Sequence, residues 1–134
     1  IERAAEIFRS LFALGMEPLS SVTRIAENAG TVVMRVSGLA PEIDAISFAT
    51  KRPLIALNGD GRSACRERFG IAHELGHWLM AQQHQVKLAL PFFIPTWQIG
   101  SFGAITRFAS LLPNRSTLFD IAIAGPAAGG AVAL

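Results

Sequence analysis

Residues 63–85 contain the run Arg66-Glu67-Arg68-Phe69-Gly70-Ile71-Ala72-His73-Glu74-Leu75-Gly76-His77-Trp78-Leu79-Met80. It holds no proline, follows the turn-forming Asn58-Gly59-Asp60-Gly61, and predicts one helix from about Ser63 to about Gln85. On that helix His73 and His77, four residues apart, lie on one face one turn from each other. Two imidazoles so placed can bind one Zn²⁺, at Zn–N distances of about 2.0–2.1 Å. Glu74 follows the first histidine, from where its carboxylate reaches a water on the metal and takes its proton. The H-E-x-x-H spacing thus supplies two metal ligands and a general base on one helix. Gly70 and Gly76 each cost that helix about 1 kcal/mol relative to alanine. Close approach of a strand or a substrate, or plain tolerance, explains them equally.

Upstream, the pattern alternates helix and strand. Ala4, Ile7, Phe8, Leu11 and Phe12 have helical spacing over residues 2–14, with Gly15 as a stop. Ser20 or Ser21 caps a second helix that runs through Asn28 and ends at Gly30. Thr31–Val36, Ile43–Thr50 and Leu54–Asn58 read as strands. Downstream, 88–106 is uncharged but broken by Pro91, Pro95, Gly100 and Gly103, which suits apolar strands or a re-entrant hairpin rather than a spanning helix. Pro113-Asn114 is a turn, Ser116 or Thr117 a cap, and Ile121–Leu134 an uncharged Ala/Gly-rich helix. That helix fits the buried edge of a soluble core and close helix contacts in a membrane equally well. The expected fold is α+β: a small β-sheet packed beside the zinc helix, then an apolar β-hairpin-like segment and a C-terminal apolar helix.

Composition narrows the function. The chain has 134 residues, 51% of them hydrophobic, with a net charge of +2. That balance, with no basic tract interleaved with aromatics, argues against nucleic acid as a partner. Lys51-Arg52 and the Arg62–Arg68 cluster read as a solvated face. Cys65 is the lone cysteine, so no intrachain disulfide forms, and it is read as a small buried or half-buried residue. The N-terminus opens on a charged amphipathic segment and no signal peptide is expected. Beyond residue 80 the charged residues are only Lys87, Arg107, Arg115 and Asp120 of a total of 12 Lys/Arg and 10 Asp/Glu. The two parts read as though written for different solvents.

Two resemblances meet at residues 73–77. From about Ala5 to Met80 the chain resembles the ImmA/IrrE family of zinc metallopeptidases, through Leu54-Ile55-Ala56-Leu57-Asn58 and above all Arg66 to His77. This implies an α+β domain with a sheet beside the zinc helix, as in intracellular peptidases that act on repressors or regulate stress genes. From about His73 to Leu134 it resembles the site-2 proteases of cyanobacteria and chloroplasts. Leu90 to Thr106, Leu112-Pro113-Asn114-Arg115 and Ala124-Gly125-Pro126-Ala127-Ala128-Gly129-Gly130 carry that likeness. It implies an intramembrane zinc endopeptidase with a membrane-associated β-hairpin after the zinc helix. The chain departs from both. A site-2 protease has an apolar stretch leading into its motif, where this chain has Arg62, Arg66, Glu67 and Arg68; an ImmA/IrrE domain continues with acidic helical segments, which are missing. The simplest reading is a composite joined near His73–His77. It divides into 1–85, an ImmA/IrrE-like metallopeptidase domain, and 86–134, a site-2-protease-like apolar segment that is truncated.

Catalytic zinc usually takes three protein ligands plus a water. The resemblance to ImmA/IrrE implies an acidic third ligand downstream, and that to site-2 proteases an Asp on a later helix. Between Leu75 and Phe119 this chain has no Asp or Glu. The candidates are Asp120 and His84, although seven residues of helix put His84 roughly 10 Å from His77 along the axis. The expected function is a zinc-dependent metalloendopeptidase acting on a peptide or protein, with Glu74 catalytic and His73 and His77 on Zn²⁺. The alternatives are an intramembrane site-2-type protease fragment and a non-catalytic regulatory or interaction module. The expected location is the cytoplasm or a membrane reached through residues 88–134.

Overall fold

A computed structural model describes residues 17–48, 51–89, 92–93, 104–105 and 108–133, with positions 6, 9, 10, 13 and 15. The leading helix expected over residues 2–14 lies mostly outside these; Glu6, Arg9 and Ser10 are helical. Helix α1, Val22–Asn28, begins where Ser21 accepts a hydrogen bond from the Arg24 amide at 3.2 Å. It ends before Gly30, which takes the left-handed φ of 90° needed to turn the chain into the sheet.

The sheet has three strands in the order β1-β3-β2. Strand β1, Val32–Val36, pairs in parallel with β3, Leu54–Asn58. Strand β2, Ala45–Phe48, pairs antiparallel with β3 along the other edge, with Ser47 opposite Ile55. It is shorter than the expected 43–50 run; Ile43 and Asp44 lie in the preceding loop, while Ala49 and Thr50 lie outside the described residues. The central strand is the most buried, and it ends on Asn58, 1% exposed. Asn58 Nδ2 donates to the carbonyls of Ala40 (3.2 Å) and Ile43 (2.9 Å), and its Oδ1 accepts from the Asp60 amide (3.1 Å). A polar side chain this deep persists because each of its groups is paired.

Helix α2, Ala64–Gln83, follows with Ser63 as its cap and crosses the sheet. Charged residues at its start are paired, and Arg68 donates to the Leu19 carbonyl at 2.7 Å. Asp44 pairs with Arg62 (3.2 Å) and Arg66 (2.9 Å), and Glu67 with Arg35 of β1 (2.6 Å). Cys65 is exposed rather than buried, because at the second position of the helix it lies on the side away from the sheet.

Strand β4, Phe92–Phe93, pairs antiparallel with β5, Ala104–Ile105, and an outer bridge joins Leu88 to Phe108. These ladders give the apolar segment its hairpin-like form. The final helix α3, Arg115–Ala133, contains Pro126. Its cap is Asn114, whose Oδ1 accepts from the Thr117 amide at 2.8 Å, and not Ser116 or Thr117. Asn is as strong a cap as Ser, and here it directly follows the turn proline.

One core joins these parts. Val22 and Ala26 of α1, Ile55 and Leu57 of β3, Ile71, Ala72 and Leu75 of α2, and Ala128 and Ala131 of α3 form a single buried cluster. The α2–α3 crossing is made close by small residues. A Cβ on Gly76 would lie 2.8 Å from that of Ala128 and nearer still to the Ala124 carbonyl, and one on Gly129 would lie 2.5 Å from the Phe69 ring. Arg9, 2% exposed, ties the chain's start to this helix: its Nε donates to the Ala131 carbonyl at 2.7 Å. The architecture is α+β, as expected.

Candidate metal centre

The helical spacing of His73 and His77 brings their rings into an edge-to-face pair, centroids 4.7 Å apart and planes at 82°. The two Nε2 atoms face each other at 3.1 Å. His77 Nδ1 lies 2.7 Å from the carbonyl oxygen of Ile121 on α3. A carbonyl only accepts, so His77 carries its proton on Nδ1 and presents a lone pair at Nε2. His73 Nδ1 is buried with no hydrogen-bond partner among the described residues. Within this pair His73 therefore keeps its proton on Nε2 and donates it to His77. Burial, then the neighbouring His77, push the His73 ring down to about 4, so it is neutral at neutral pH.

These features fit a metal ion. Two nitrogens bound tetrahedrally at zinc's usual bond length lie roughly 3.3 Å apart, close to the separation already built here. The Ile121 carbonyl is the outer partner that commonly fixes a metal-ligating histidine's tautomer and orientation.

Helix α3 also sets the His77 ring from its face. A Cβ added at Gly125 would fall 2.6 Å from His77 Cε1 and 2.7 Å from Cδ2, and closer to Nε2. Near-equal distances to three adjacent ring atoms place it over the ring plane, not along the in-plane lone pair. Only glycine leaves room for the imidazole there.

Glu74 points to the sheet side. Its Oε2 accepts a hydrogen bond from the Ser47 hydroxyl of β2. Burial pushes the Glu74 carboxyl up, while the Ser47 hydrogen bond and His77 pull it down. A raised carboxyl accepts a proton more readily than an ordinary one.

The two candidate third ligands meet each other instead of the histidine pair. His84 Nε2, at the C-cap of α2, lies 3.2 Å from Asp120 Oδ2 on α3. Among the described residues no group of three His, Cys, Asp or Glu side chains comes together for a metal. Ser47, the Ile121 carbonyl and Gly125 were not singled out from the sequence as parts of this centre. For Ser47 a signal existed, since alternation puts it on the same strand face as Ala45, toward α2.

Residues 26–92 match the family model of the IrrE N-terminal-like domain, a peptidase family, over half of the chain. The chain belongs to that family. It is also similar to relatives of the site-2 type. With the probable zinc metalloprotease EGY1, chloroplastic, of Arabidopsis thaliana it shares 58% identity over 64 residues, which is 48% of this chain and 12% of that protein. With EGY1 of Oryza sativa subsp. japonica it shares 56% over 62 residues, 46% of this chain and 11% of the relative. With EGY2 of Arabidopsis thaliana the figure is 53% over 62 residues. The chain thus spans about a tenth of the length of these relatives. Both resemblances of the sequence are present.

Proposed function

We propose that the chain is a zinc-dependent metalloendopeptidase unit acting on peptide or protein substrates. The observation that carries this reading is the pair of opposed Nε2 atoms 3.1 Å apart, with a carboxyl of raised pKa on Glu74, the residue that follows His73. His73 and His77 would hold zinc. When bound, zinc polarises the scissile carbonyl and acidifies a water. Glu74 would be the general base of hydrolysis, the group that accepts a proton from the attacking water and returns it to the leaving amine. The Ile121 carbonyl holds the His77 proton on Nδ1 and so leaves the Nε2 lone pair free for a metal, and Gly125 keeps bulk off the ring. Membership of a peptidase family and similarity to probable zinc metalloproteases support the same chemistry.

The test is a zinc titration with a peptide-cleavage assay. Glu74→Gln keeps zinc and loses cleavage; His77→Ala loses zinc. Cleavage that survives Glu74→Gln would sink the mechanism.

The finer reading of location is association with a membrane through residues 88–134. Its support is the outer face of α3, where Leu118, Phe119 and Ile123 are exposed. No helix among the described residues is long and apolar enough to cross a membrane, so the contact proposed is with its surface. Co-sedimentation with lipid vesicles tests it, and Phe119→Glu should abolish the binding.

A further inference from the structure

We propose that Ser47 is the positioning residue of the general base: its hydroxyl holds Glu74 Oε2 and so fixes which way the carboxylate points. This rests on the reading of Glu74 as the base. The argument begins with two periodicities. Along β2, Ala45 and Ser47 lie on one face, two residues and about 6.7 Å apart. Along α2, Gly70 and Glu74 lie one turn and about 6 Å apart. The two spacings match, so a strand laid along this helix meets it at both points. The structure has both meetings: a Cβ built on Gly70 would stand 3.3 Å from that of Ala45, and Ser47 Oγ bonds Glu74. A side chain at position 70 would press on Ala45 by a few tenths of an ångström, so Gly70 eases the approach of β2 that brings the hydroxyl within reach.

Among the described residues Ser47 is the one hydrogen-bond partner of the Glu74 side chain. A carboxylate removed from water needs a donor, and a hydroxyl to a charged oxygen is among the stronger ones. A glutamate has three rotatable bonds, and among the described residues no other hydrogen bond fixes the direction of this carboxylate. Ser47 acts only through Glu74. The strand's pairing with β3 uses backbone groups, so the hydroxyl is free for this role.

Ser47→Ala, Ser47→Thr and Glu74→Gln in the full chain test it. Crystal structures of the metal-free variants read the carboxylate directly: Ser47→Ala should release it from its parent position, and Ser47→Thr, which keeps the hydroxyl, should return it. In the zinc-loaded chain Ser47→Ala should lower kcat roughly 10- to 100-fold, the scale for a misplaced catalytic group, with KM and zinc stoichiometry unchanged. Ser47→Thr should recover most of that loss. A carboxylate that stays in place in Ser47→Ala, or that Ser47→Thr fails to return, overturns the proposal. Peptide cleavage absent from the parent, or retained in Glu74→Gln, defeats the reading of Glu74 as base, while the carboxylate's placement still decides the role of Ser47.

Discussion

The Nδ1–H of His77 on α2 donates to the carbonyl oxygen of Ile121 on α3 over 2.7 Å. A backbone group 44 residues away therefore decides which nitrogen of His77 is free to bind a metal. Among the described residues His73 has no such partner, and its buried Nδ1 is unpaired there. The two histidines should therefore be opposite tautomers without metal, with the proton on Nδ1 in His77 and on Nε2 in His73. Zinc needs both Nε2 lone pairs, so binding should move the His73 proton to Nδ1 and leave His77 as it was. Long-range ¹H–¹⁵N spectra of the imidazoles, recorded with and without zinc, distinguish the two. A His77 that carries its proton on Nε2 in the metal-free chain would refute the assignment.

Gly125 is the second point at which α3 acts on the metal centre. Its missing side chain leaves the space occupied by the face of the His77 ring. Gly125→Ala must displace that ring, because the ring is bound to α3 itself through Ile121 and cannot swing away without losing that bond. Zinc affinity should fall roughly 10- to 100-fold, the usual cost of disturbing a ligand's outer support. Competition with a chromophoric chelator measures it. The same substitution raises intrinsic helix propensity by about 1 kcal/mol, so an unchanged affinity would mean that the ring had found another seat.

The contrast between these residues shows what the sequence makes legible. Leu54–Asn58 is apolar, β-branched in part and bounded by turn residues, and it is a strand with those ends. The His73–Glu74–His77 spacing is local, and helix geometry alone brings the two imidazoles together. Gly125, Ile121 and Ser47 act across tertiary contacts: alternation along β2 puts Ser47 on one face with Ala45, but no local pattern ties Gly125 or Ile121 to His77. The cap of α3 shows a subtler limit. Asn114, Ser116 and Thr117 are all good caps, and the fold selects Asn114 because the helix already begins at Arg115. The joining of the two segments was legible only in part. A break in charge at residue 80 is visible, but the shared core of Ile71, Leu75, Ala128 and Ala131 depends on glycines whose contacts appear only in the folded chain.

His73 also predicts a dependence of stability on pH. Its folded value of about 4 lies below the ordinary value of 6.5. Between those values the unfolded chain binds more protons than the folded one, so this contribution is fully present above pH 6.5 and is lost as pH falls toward 4. Glu74 acts in the opposite sense. Its folded pKa is raised, so its burial penalty applies above that pKa and is relieved as the pH falls through it. Glu74→Gln removes the opposing contribution. The metal-free Glu74→Gln chain should lose stability on acidification from pH 6.5 to 4 more steeply than the Glu74→Gln, His73→Phe double variant. Urea unfolding at several pH values reads the difference, and parallel profiles for the two variants would refute it.

Gly76 separates packing from propensity at the helix crossing. Alanine there should gain about 1 kcal/mol of helix propensity if the site were open. It is closed: the new methyl would stand 2.8 Å from the Ala128 Cβ and nearer to the Ala124 carbonyl. The first neighbour is a side chain with no freedom to turn, and the second is backbone. Relief requires the two helices to move apart, which would loosen Ala128 and Ala131 from the core they share with Ile71 and Leu75. Overpacking of this kind costs about 1–3 kcal/mol, which exceeds the propensity gain. Gly76→Ala should therefore lower the urea midpoint of the metal-free chain, and it should also weaken zinc binding, since His77 is adjacent and its Ile121 partner rides on the displaced helix. A second change, Ala128→Gly, removes the side-chain half of the clash but not the carbonyl half, so it should restore the midpoint only in part. Full restoration would assign the closeness of the crossing to Ala128 alone.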